Sequence, residues 1–216
     1  RSSDLKAGAN ILCPSIMEDD GTTKKLIEAE GVRYEFMLAD ITQEGVCAKV
    51  VDACVEKFGS IDILVNCAGI CIIRDVMGFT RKEWDAMINL NLNCSFEMSH
   101  EAARYMIPQR SGKIINICSL FSFLGGLGSP AYAAMKAGLM GFTKAYADEL
   151  GMYNIQVNGL APGYFKTAMT AQTDNAEKEV RVREHIPAGR WGDRMDLMGT
   201  MVFLASHASD YVNGAI

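Results

Sequence analysis

The chain has 216 residues, of which 49% are hydrophobic, and this composition is typical of a globular protein rather than a disordered one. Its formal net charge is −5 and it contains no basic block, which argues against nucleic acid as a partner. No apolar run approaches the roughly 18 residues that cross a bilayer, so no membrane segment is predicted.

Short apolar segments alternate with segments of helical periodicity along the chain. Strands are predicted at 10–14, 32–40, 61–66, 112–119 and 155–163, and the last segment, 213–216, is predicted to be a strand that is cut short. Helices are predicted at 22–31, 43–59, 82–106, 130–151 and 195–206. This order predicts one α/β domain over residues 1–216, a doubly wound parallel sheet with helices on both faces.

Local signals mark the ends of two of these helices. Thr80 and Glu83 form a capping-box pattern that opens the long helix, and Pro108 lies just beyond its predicted end near Met106. Pro130 stands at the predicted start of the next helix. The segment at about 163–194 is polar and has few periodic apolar residues, and it is predicted to be a substrate loop.

The seven cysteines do not form a ligand or disulfide pattern. Their number is odd, no CxxC occurs, and most lie in apolar runs, which predicts reduced thiols in a cytoplasmic protein. The three histidines are scattered without ligand spacing, so no metal site is predicted.

Candidate chemistry follows the predicted strands. In doubly wound folds, ligands bind at the carboxyl ends of the strands. The residues at those ends are Asp40, "NCAG" at 66–69, Ser119 and "PG" at 162–163.

The segment "AYAAMKAG" at 131–138 places Tyr132 and Lys136 four residues apart, on one face of a helix. An ammonium beside a phenol favours the ionised phenol and lowers its pKa, which would make Tyr132 a general acid/base. The small neighbours leave room for a cofactor. A surface helix with an exposed lysine is the alternative interpretation.

Six motifs together resemble those of the classical short-chain dehydrogenases/reductases, over residues 8–216. They are "AD" before "IT" (39–40), "NCAG" (66–69), "INLNL" (88–92), "INICS" (115–119), "YAAMK" (132–136) and "LAPGYFKT" (160–167). The resemblance implies a Rossmann-like fold, a nicotinamide cofactor, a small-molecule substrate and a homotetramer or dimer.

The resemblance also implies the catalytic roles. Tyr132 would be the general acid/base, and Ser119, thirteen residues earlier, would hold the reacting substrate oxygen. Lys136 would hydrogen-bond the nicotinamide ribose. Asn91 would hold a water behind the lysine; Asn89 and Asn93 are nearby alternatives, and alignment from Trp84 and Phe96 favours Asn91.

The implied cofactor contacts follow the strand ends. Asp40 would accept a hydrogen bond from the adenine amino group, and Ile41 would pack on the adenine ring. The adenine ribose would be lined by Asn66, Ala68 and Gly69. The nicotinamide amide and the pyrophosphate would be received by Pro162, Gly163, Phe165 and Thr167.

Two features depart from the family pattern. The opening strand with its TGxxxGxG loop and the end of the last strand are not among the 216 residues, and residues 1–9 resemble the end of the first helix. The acid that commonly follows the second strand is replaced by Ser15. Segment 10–23 has no Lys or Arg but contains Glu18, Asp19 and Asp20, which favours NAD over NADP, with NADP not excluded.

Segments 153–164 and 186–214 are similar to 2-deoxy-D-gluconate 3-dehydrogenase and gluconate 5-dehydrogenase-like members. They imply oxidation of a secondary alcohol in a sugar acid, sugar or polyol. The paired arginines frequent in those enzymes are replaced by Ile72 and Ile73, with Arg74 next. The predicted substrate residues are Ser119, Phe121, Tyr164 and Arg74. A 3-oxoacyl-reductase-like enzyme and a catalytically silent homologue remain as alternatives.

Overall fold

Among the residues that the structure describes, five parallel strands form the sheets of this α/β protein. The structure is a computed structural model that describes residues 8–126, 128–167, 170, 180 and 182–216. Strands β1 (Ile11–Ser15) and β2 (Tyr34–Leu38) pair with each other. Strands β3 (Ile63–Asn66), β4 (Gly112–Ile117) and β5 (Ile155–Leu160) form a second sheet in that order. The predicted parallel α/β class is confirmed, although among the described residues the strands form two sheets rather than one.

Helices follow the strands in the predicted order. Their bounds are Thr22–Glu28 (α1), Val46–Phe58 (α2), Arg81–Ile88 (α3), Cys94–Gln109 (α4), Pro130–Leu150 (α5) and Met198–Ala205 (α6). The capping box that opens α3 is formed as predicted, with both Thr80 and Glu83 taking part. Pro130 lies in the first turn of α5, where its missing N–H costs nothing.

The long helix predicted over 82–106 is interrupted. Helices α3 and α4 are separated by a π-helical segment, Asn89–Asn93, so the prediction of one regular helix is wrong. The wider π turn is a local insertion that apolar periodicity does not reveal, and such insertions are frequent at functional sites. Pro108 also lies inside α4 rather than beyond it, because the helix continues to Gln109 and ends at Arg110 in the left-handed conformation (φ 54°).

The predicted final strand at 213–216 is not a regular strand, yet it lies along the edge of β5. Gly214 donates its N–H to the Val157 carbonyl at 2.9 Å, and the N–H of Gly159 reaches the Ala215 carbonyl at 2.8 Å. The Asn213 side chain supplies a further bond to the Val157 N–H at 2.8 Å. Side-chain bonds replace part of the backbone ladder at this edge.

One main core joins the two sheets. It packs the inner faces of α2 and α4 against β3, β4 and β5, and Leu12 of β1 and Met37 of β2 contact the same core. A smaller core holds α3 against α5 through Met87, Ala131 and Met135, all of which are fully buried. Because Tyr132 packs against this smaller core, the start of α5 is fixed from two sides.

The seven cysteines are all free thiols; four are buried and only Cys67 is exposed. Within the residues that the structure describes, no group of three or more His, Cys, Asp or Glu side chains has the arrangement of a metal site. Over the same residues, no helix has the length and apolar character needed to cross a membrane.

Candidate active site

The carboxyl ends of β3, β4 and β5 meet at one edge of their sheet. The N–H of Cys118 bonds to the Leu160 carbonyl at 2.8 Å, and that of Leu120 bonds to the Pro162 carbonyl at 3.2 Å. These two bonds hold the segment containing Ser119 beside the "PG" turn. The structure therefore brings together residues that the sequence predicted at separate strand ends.

Tyr132 lies in the first turn of α5 and faces Ser119. Burial raises the pKa of Tyr132 above its usual value, and the neighbouring Ser119 hydroxyl acts in the opposite direction. The Phe121 ring meets the Tyr132 ring edge-on, with centroids 6.0 Å apart and planes at 88°. The phenol therefore lies near the Ser119 hydroxyl and against the apolar ring of Phe121.

Lys136 is 6% exposed and lies one helical turn after Tyr132. Its ammonium donates a hydrogen bond to the Ile117 carbonyl and lies 5.7 Å from the centroid of the Tyr132 ring. Burial lowers the pKa of Lys136. The predicted direction of the phenol pKa is wrong, because burial raises the pKa of Tyr132 above its usual value.

Asn91 is the centre of the π-helical segment and is 1% exposed. Its amide nitrogen donates to the carbonyls of Ile70 and Met87, at 3.1 and 2.8 Å, and its amide oxygen accepts from the Ile70 N–H at 3.1 Å. The side chain thus pins the loop after β3. A Cβ on Gly69 would lie 2.3 Å from the Asn91 amide oxygen, which explains the glycine. The proton-relay role of Asn91 stays a prediction.

Asn66 ends β3 and points into the interior. Its side-chain nitrogen donates to the Ser99 hydroxyl at 2.9 Å and to the Asn116 side-chain oxygen at 2.8 Å. Asn116 in turn donates to the Thr143 hydroxyl at 2.9 Å. A buried polar network therefore ties β3, β4, α4 and α5 together beneath the site. The Asn66 side chain is therefore used within the protein, while Ala68 in the following turn is exposed; their contacts with the adenine ribose stay a prediction.

Asp40 and Ile41 follow β2. The Asp40 carboxylate is exposed and accepts from the Thr42 N–H at 3.0 Å and the Thr42 hydroxyl at 2.6 Å, which lowers its pKa. Ile41 packs against the main core. Its carbonyl accepts from two buried thiols, Cys47 at 3.4 Å and Cys94 at 3.3 Å. Both residues are held rigidly at the strand end.

The segment after β5 folds back on the end of the predicted substrate loop. Phe165 bridges to Gly192, and a Cβ on Gly192 would lie 2.5 Å from the Phe165 ring. Tyr164 meets Trp191 edge-on at 5.7 Å between ring centroids. The N–H of Thr167 bonds to the Thr170 hydroxyl at 2.9 Å. Residues 168–169, 171–179 and 181 of the predicted loop lie outside the described residues.

Arg74 binds protein groups beside the cap of α3. Its guanidinium donates to the Glu83 carboxylate at 2.8 Å and to the Ile73 carbonyl at 2.9 Å. The Arg74 N–H bonds to the Gly128 carbonyl at 2.9 Å, which joins this loop to the one before α5. The side chain is half-exposed, and its role as a substrate residue stays a prediction.

Ser122 is a site residue that the sequence analysis missed. Its hydroxyl lies between the backbones of Ser119 and Lys136. The structure shows a capping box between Ser119 and Ser122 at the short helix Leu120–Ser122, whereas the usual sequence pattern for such a box has Glu or Gln in the place of Ser122.

A family model described as enoyl-(acyl carrier protein) reductase, of the short-chain dehydrogenase type, matches residues 5–216. The chain belongs to the short-chain dehydrogenase/reductase family. It is therefore an oxidoreductase, and the Rossmann-like fold predicted from its motifs is that of the family.

Curated members of this family share much of the sequence. The chain is 61% identical over 210 residues to an uncharacterized oxidoreductase, YgcW, of Escherichia coli, covering 97% of the chain and 80% of the relative. It is 44% identical over 211 residues to a 2-dehydro-3-deoxy-D-gluconate 5-dehydrogenase of the same organism, covering 97% and 83%.

A solved member of the family has nearly the same fold. The gluconate 5-dehydrogenase from Burkholderia cenocepacia, in complex with NADP and tartrate, is 37% identical with a TM-score of 0.92. The match covers 99% of this chain and 84% of that one.

Proposed function

We propose that this short-chain dehydrogenase/reductase interconverts a secondary alcohol and a ketone on a sugar acid or a related polyhydroxy compound, using a nicotinamide cofactor. The observation that carries the proposal is the partly buried Tyr132, which packs against the α3–α5 core and lies one helical turn from the buried Lys136 ammonium, with Ser119 beside it at the end of β4. The similarity to gluconate-type dehydrogenases supports the substrate class.

The groups at the strand ends fit a dinucleotide. Asp40 presents an exposed carboxylate, which matches an adenine amino group, and Lys136 presents an ammonium, which matches ribose hydroxyls. At Gly163 no atom lies within 4 Å of an added Cβ, so the backbone there is open to a ligand. The bound nicotinamide would supply the hydride acceptor or donor.

The protein's own groups divide the remaining work. The Ser119 hydroxyl donates a hydrogen bond to the substrate oxygen and so holds that oxygen beside the Tyr132 phenol. In oxidation, ionised Tyr132 takes the proton of the substrate hydroxyl, and in reduction the neutral phenol returns it. Lys136 stabilises the ionised phenol by its charge. The Phe121 ring screens this pair from water on one side.

The proposed substrate class is supported by the similarity to gluconate-type dehydrogenases and by the Arg74 guanidinium. Arg74 uses two of its five N–H donors for the Ile73 carbonyl and Glu83, so it keeps donors for a carboxylate. The remaining predicted contacts are apolar and favour a substrate with few charges, since they would pack against its carbon skeleton. They are Ile72, Ile73 and the rings of Phe121 and Tyr164. A sugar acid with a single carboxylate matches both features.

A dehydrogenase screen with the full-length protein tests this function. The panel contains gluconate-type sugar acids, neutral polyols and 3-hydroxyacyl thioesters, each with NAD and with NADP, and Tyr132→Phe serves as the blank. We expect reduced nicotinamide to form with a sugar acid or polyol. Turnover restricted to the acyl thioesters would favour the 3-oxoacyl-reductase-like alternative instead.

We expect NAD to be preferred over NADP. The Ser15 hydroxyl at the end of β1 accepts from the Met17 N–H at 3.1 Å and carries no charge. Asp19 and Asp20, just beyond it, accept from the N–H groups of Gly21 and Thr22, which fixes their charges near this strand end. These acids would repel the 2′-phosphate of NADP. The measurement is kcat/KM for both cofactors with one substrate at equal ionic strength.

The cofactor prediction has a matched control. Substitution of Asp20 by Asn is expected to reduce the preference for NAD, whereas Asp75→Asn in the loop before α3 leaves it unchanged. The Burkholderia relative was solved in complex with NADP, so NAD and NADP have to be compared directly in this protein. A wild-type preference for NADP of tenfold or more, about 1.4 kcal/mol, shows that the acidic segment does not decide the choice.

We expect the protein to be a homo-oligomer, with α4 and α5 at the interface. Phe96 on α4 is 46% exposed and meets Phe142 and Tyr146 of α5 edge-on, at 6.3 and 6.4 Å between ring centroids. An aromatic surface of this kind is typical of subunit contacts. Light scattering at micromolar concentration should give the mass of a dimer or tetramer. The Phe96→Asp variant should have a lower mass, closer to that of the monomer.

Leu26→Asp is the control for that variant, because Leu26 is 65% exposed on α1, away from this aromatic surface. It should leave the mass unchanged. A monomeric wild-type protein, or equal dissociation by both variants, excludes the interface.

A further inference from the structure

Ser122 lies in the short 3₁₀ helix Leu120–Ser122, between β4 and α5, and is 5% exposed. Its hydroxyl donates to the Lys136 carbonyl at 2.8 Å and accepts from the Ser119 N–H at 3.2 Å. A hydroxyl has one proton to donate, and Ser122 donates it to a carbonyl of α5. One oxygen atom therefore joins the backbones of two residues of the proposed catalytic set.

The same helix fixes the Ser119 side chain. The Ser119 hydroxyl accepts from the Phe121 N–H at 3.2 Å, and the N–H of Ser122 bonds to the Ser119 carbonyl at 2.9 Å. Ser119 is therefore held at three points within the turn, and the bond through Ser122 is the one that ties this turn to α5. Without that bond, α5 still binds the end of β4 through the Lys136 ammonium and the Ile117 carbonyl, but the Ser119 backbone loses its link to α5.

We propose that Ser122 is a positioning residue, which sets the placement of the Ser119 hydroxyl against the Tyr132 phenol by linking the Ser119 turn to the helix that carries Tyr132 and Lys136. The proposal rests on the proposed function, since it assigns Ser122 an effect on the proposed acid/base pair. It does not give Ser122 a contact with substrate.

Removal of this hydroxyl has two consequences. In Ser122→Ala, the buried Ser119 N–H loses its partner, and the Ser119 hydroxyl shifts from the phenol. Because the Ser119 hydroxyl beside the phenol lowers the pKa of Tyr132, that pKa should rise when the hydroxyl moves away. A misplacement of a reacting group by about 1 Å costs up to about 10²-fold in rate, so kcat should fall within that range while nicotinamide binding is unchanged.

The experiment is a double-mutant cycle on the full-length protein. The ionisation of Tyr132 is followed by the ultraviolet absorbance of tyrosinate as pH rises, and the signal of Tyr132 is isolated by subtracting the same background carrying Tyr132→Phe. The Ser122→Ala change is made both in the wild type and in the Ser119→Ala background. This titration needs no turnover, so its result is independent of whether the proposed substrate is correct.

We expect Ser122→Ala to raise the midpoint of Tyr132 in the wild type and to leave it unchanged in the Ser119→Ala background, because the effect passes through Ser119. Ser209→Ala is the matched control. Ser209 is also fully buried and donates to the Leu204 carbonyl at 3.0 Å, remote from the strand ends that form the site. It should lower the thermal midpoint without moving the Tyr132 titration. An unchanged Tyr132 midpoint in Ser122→Ala, or an equal shift in both backgrounds, overturns the proposal.

Discussion

Tyr132→Phe is expected to lower kcat for alcohol oxidation by about 10²–10⁴-fold, the usual contribution of a general acid/base, while nicotinamide binding is retained. The change removes only the phenol oxygen, because the ring keeps its packing against Met87, Met135 and Phe121. Steady-state kinetics give the first quantity, and quenching of protein fluorescence by the nicotinamide gives the second.

The raised pKa of Tyr132 also fixes the sign of the pH dependence. Oxidation needs the ionised phenol, so its rate should increase as pH rises toward that pKa, and ketone reduction should decrease over the same range. Tyr132→Phe should remove this dependence. Tyr105→Phe is the control, because the Tyr105 hydroxyl binds Asp52 at 2.8 Å on the surface, and it should behave as the wild type. Retention of most activity in Tyr132→Phe would exclude the mechanism.

Lys136→Met should lose both rate and cofactor affinity. Methionine fills much of the space of the 6% exposed lysine, so the loss reports the ammonium rather than a cavity. A hydrogen bond to a charged group contributes about 1.5–3 kcal/mol, which corresponds to roughly a tenfold to hundredfold weaker binding of the nicotinamide. Isothermal titration calorimetry with the cofactor measures this change directly.

The control for that variant lies on the same helix. Lys144 is exposed on α5, two turns after Lys136, and Lys144→Met should change neither binding nor kcat. If Lys136→Met bound nicotinamide with wild-type affinity, its proposed contact with the ribose would be wrong.

Much of the fold could be predicted because its signals are local. The buried strand β4 is marked by the apolar residues Ile114, Ile115 and Ile117, and the capping box at Thr80 marks the start of α3 within one residue. The π-helical segment could not be predicted, since "INLNL" has ordinary helical periodicity, and Asn91 within it makes a distant contact with Ile70. The contact joins residues 21 positions apart, which no local pattern reveals.

In the candidate site, too, local features could be predicted from the sequence and features that depend on distant contacts could not. The spacing of Tyr132 and Lys136 is sufficient to predict a shared helix face. The direction of the phenol pKa was predicted wrongly, because spacing gives the charge of a neighbour but not the burial of the pair. Arg74 shows the same limit, since its partner Glu83 comes from the cap of another element.

In the proposed reaction, this protein removes a hydride and a proton from one carbinol group, and Tyr132 takes the proton. The most direct measurement uses a sugar acid carrying deuterium at the secondary carbinol carbon, with wild type and Tyr132→Phe compared by mass spectrometry of the nicotinamide after a single turnover. We expect one deuterium on the reduced nicotinamide from the wild type and essentially none from Tyr132→Phe. Reduced nicotinamide without deuterium, or equal transfer by both proteins, would contradict it.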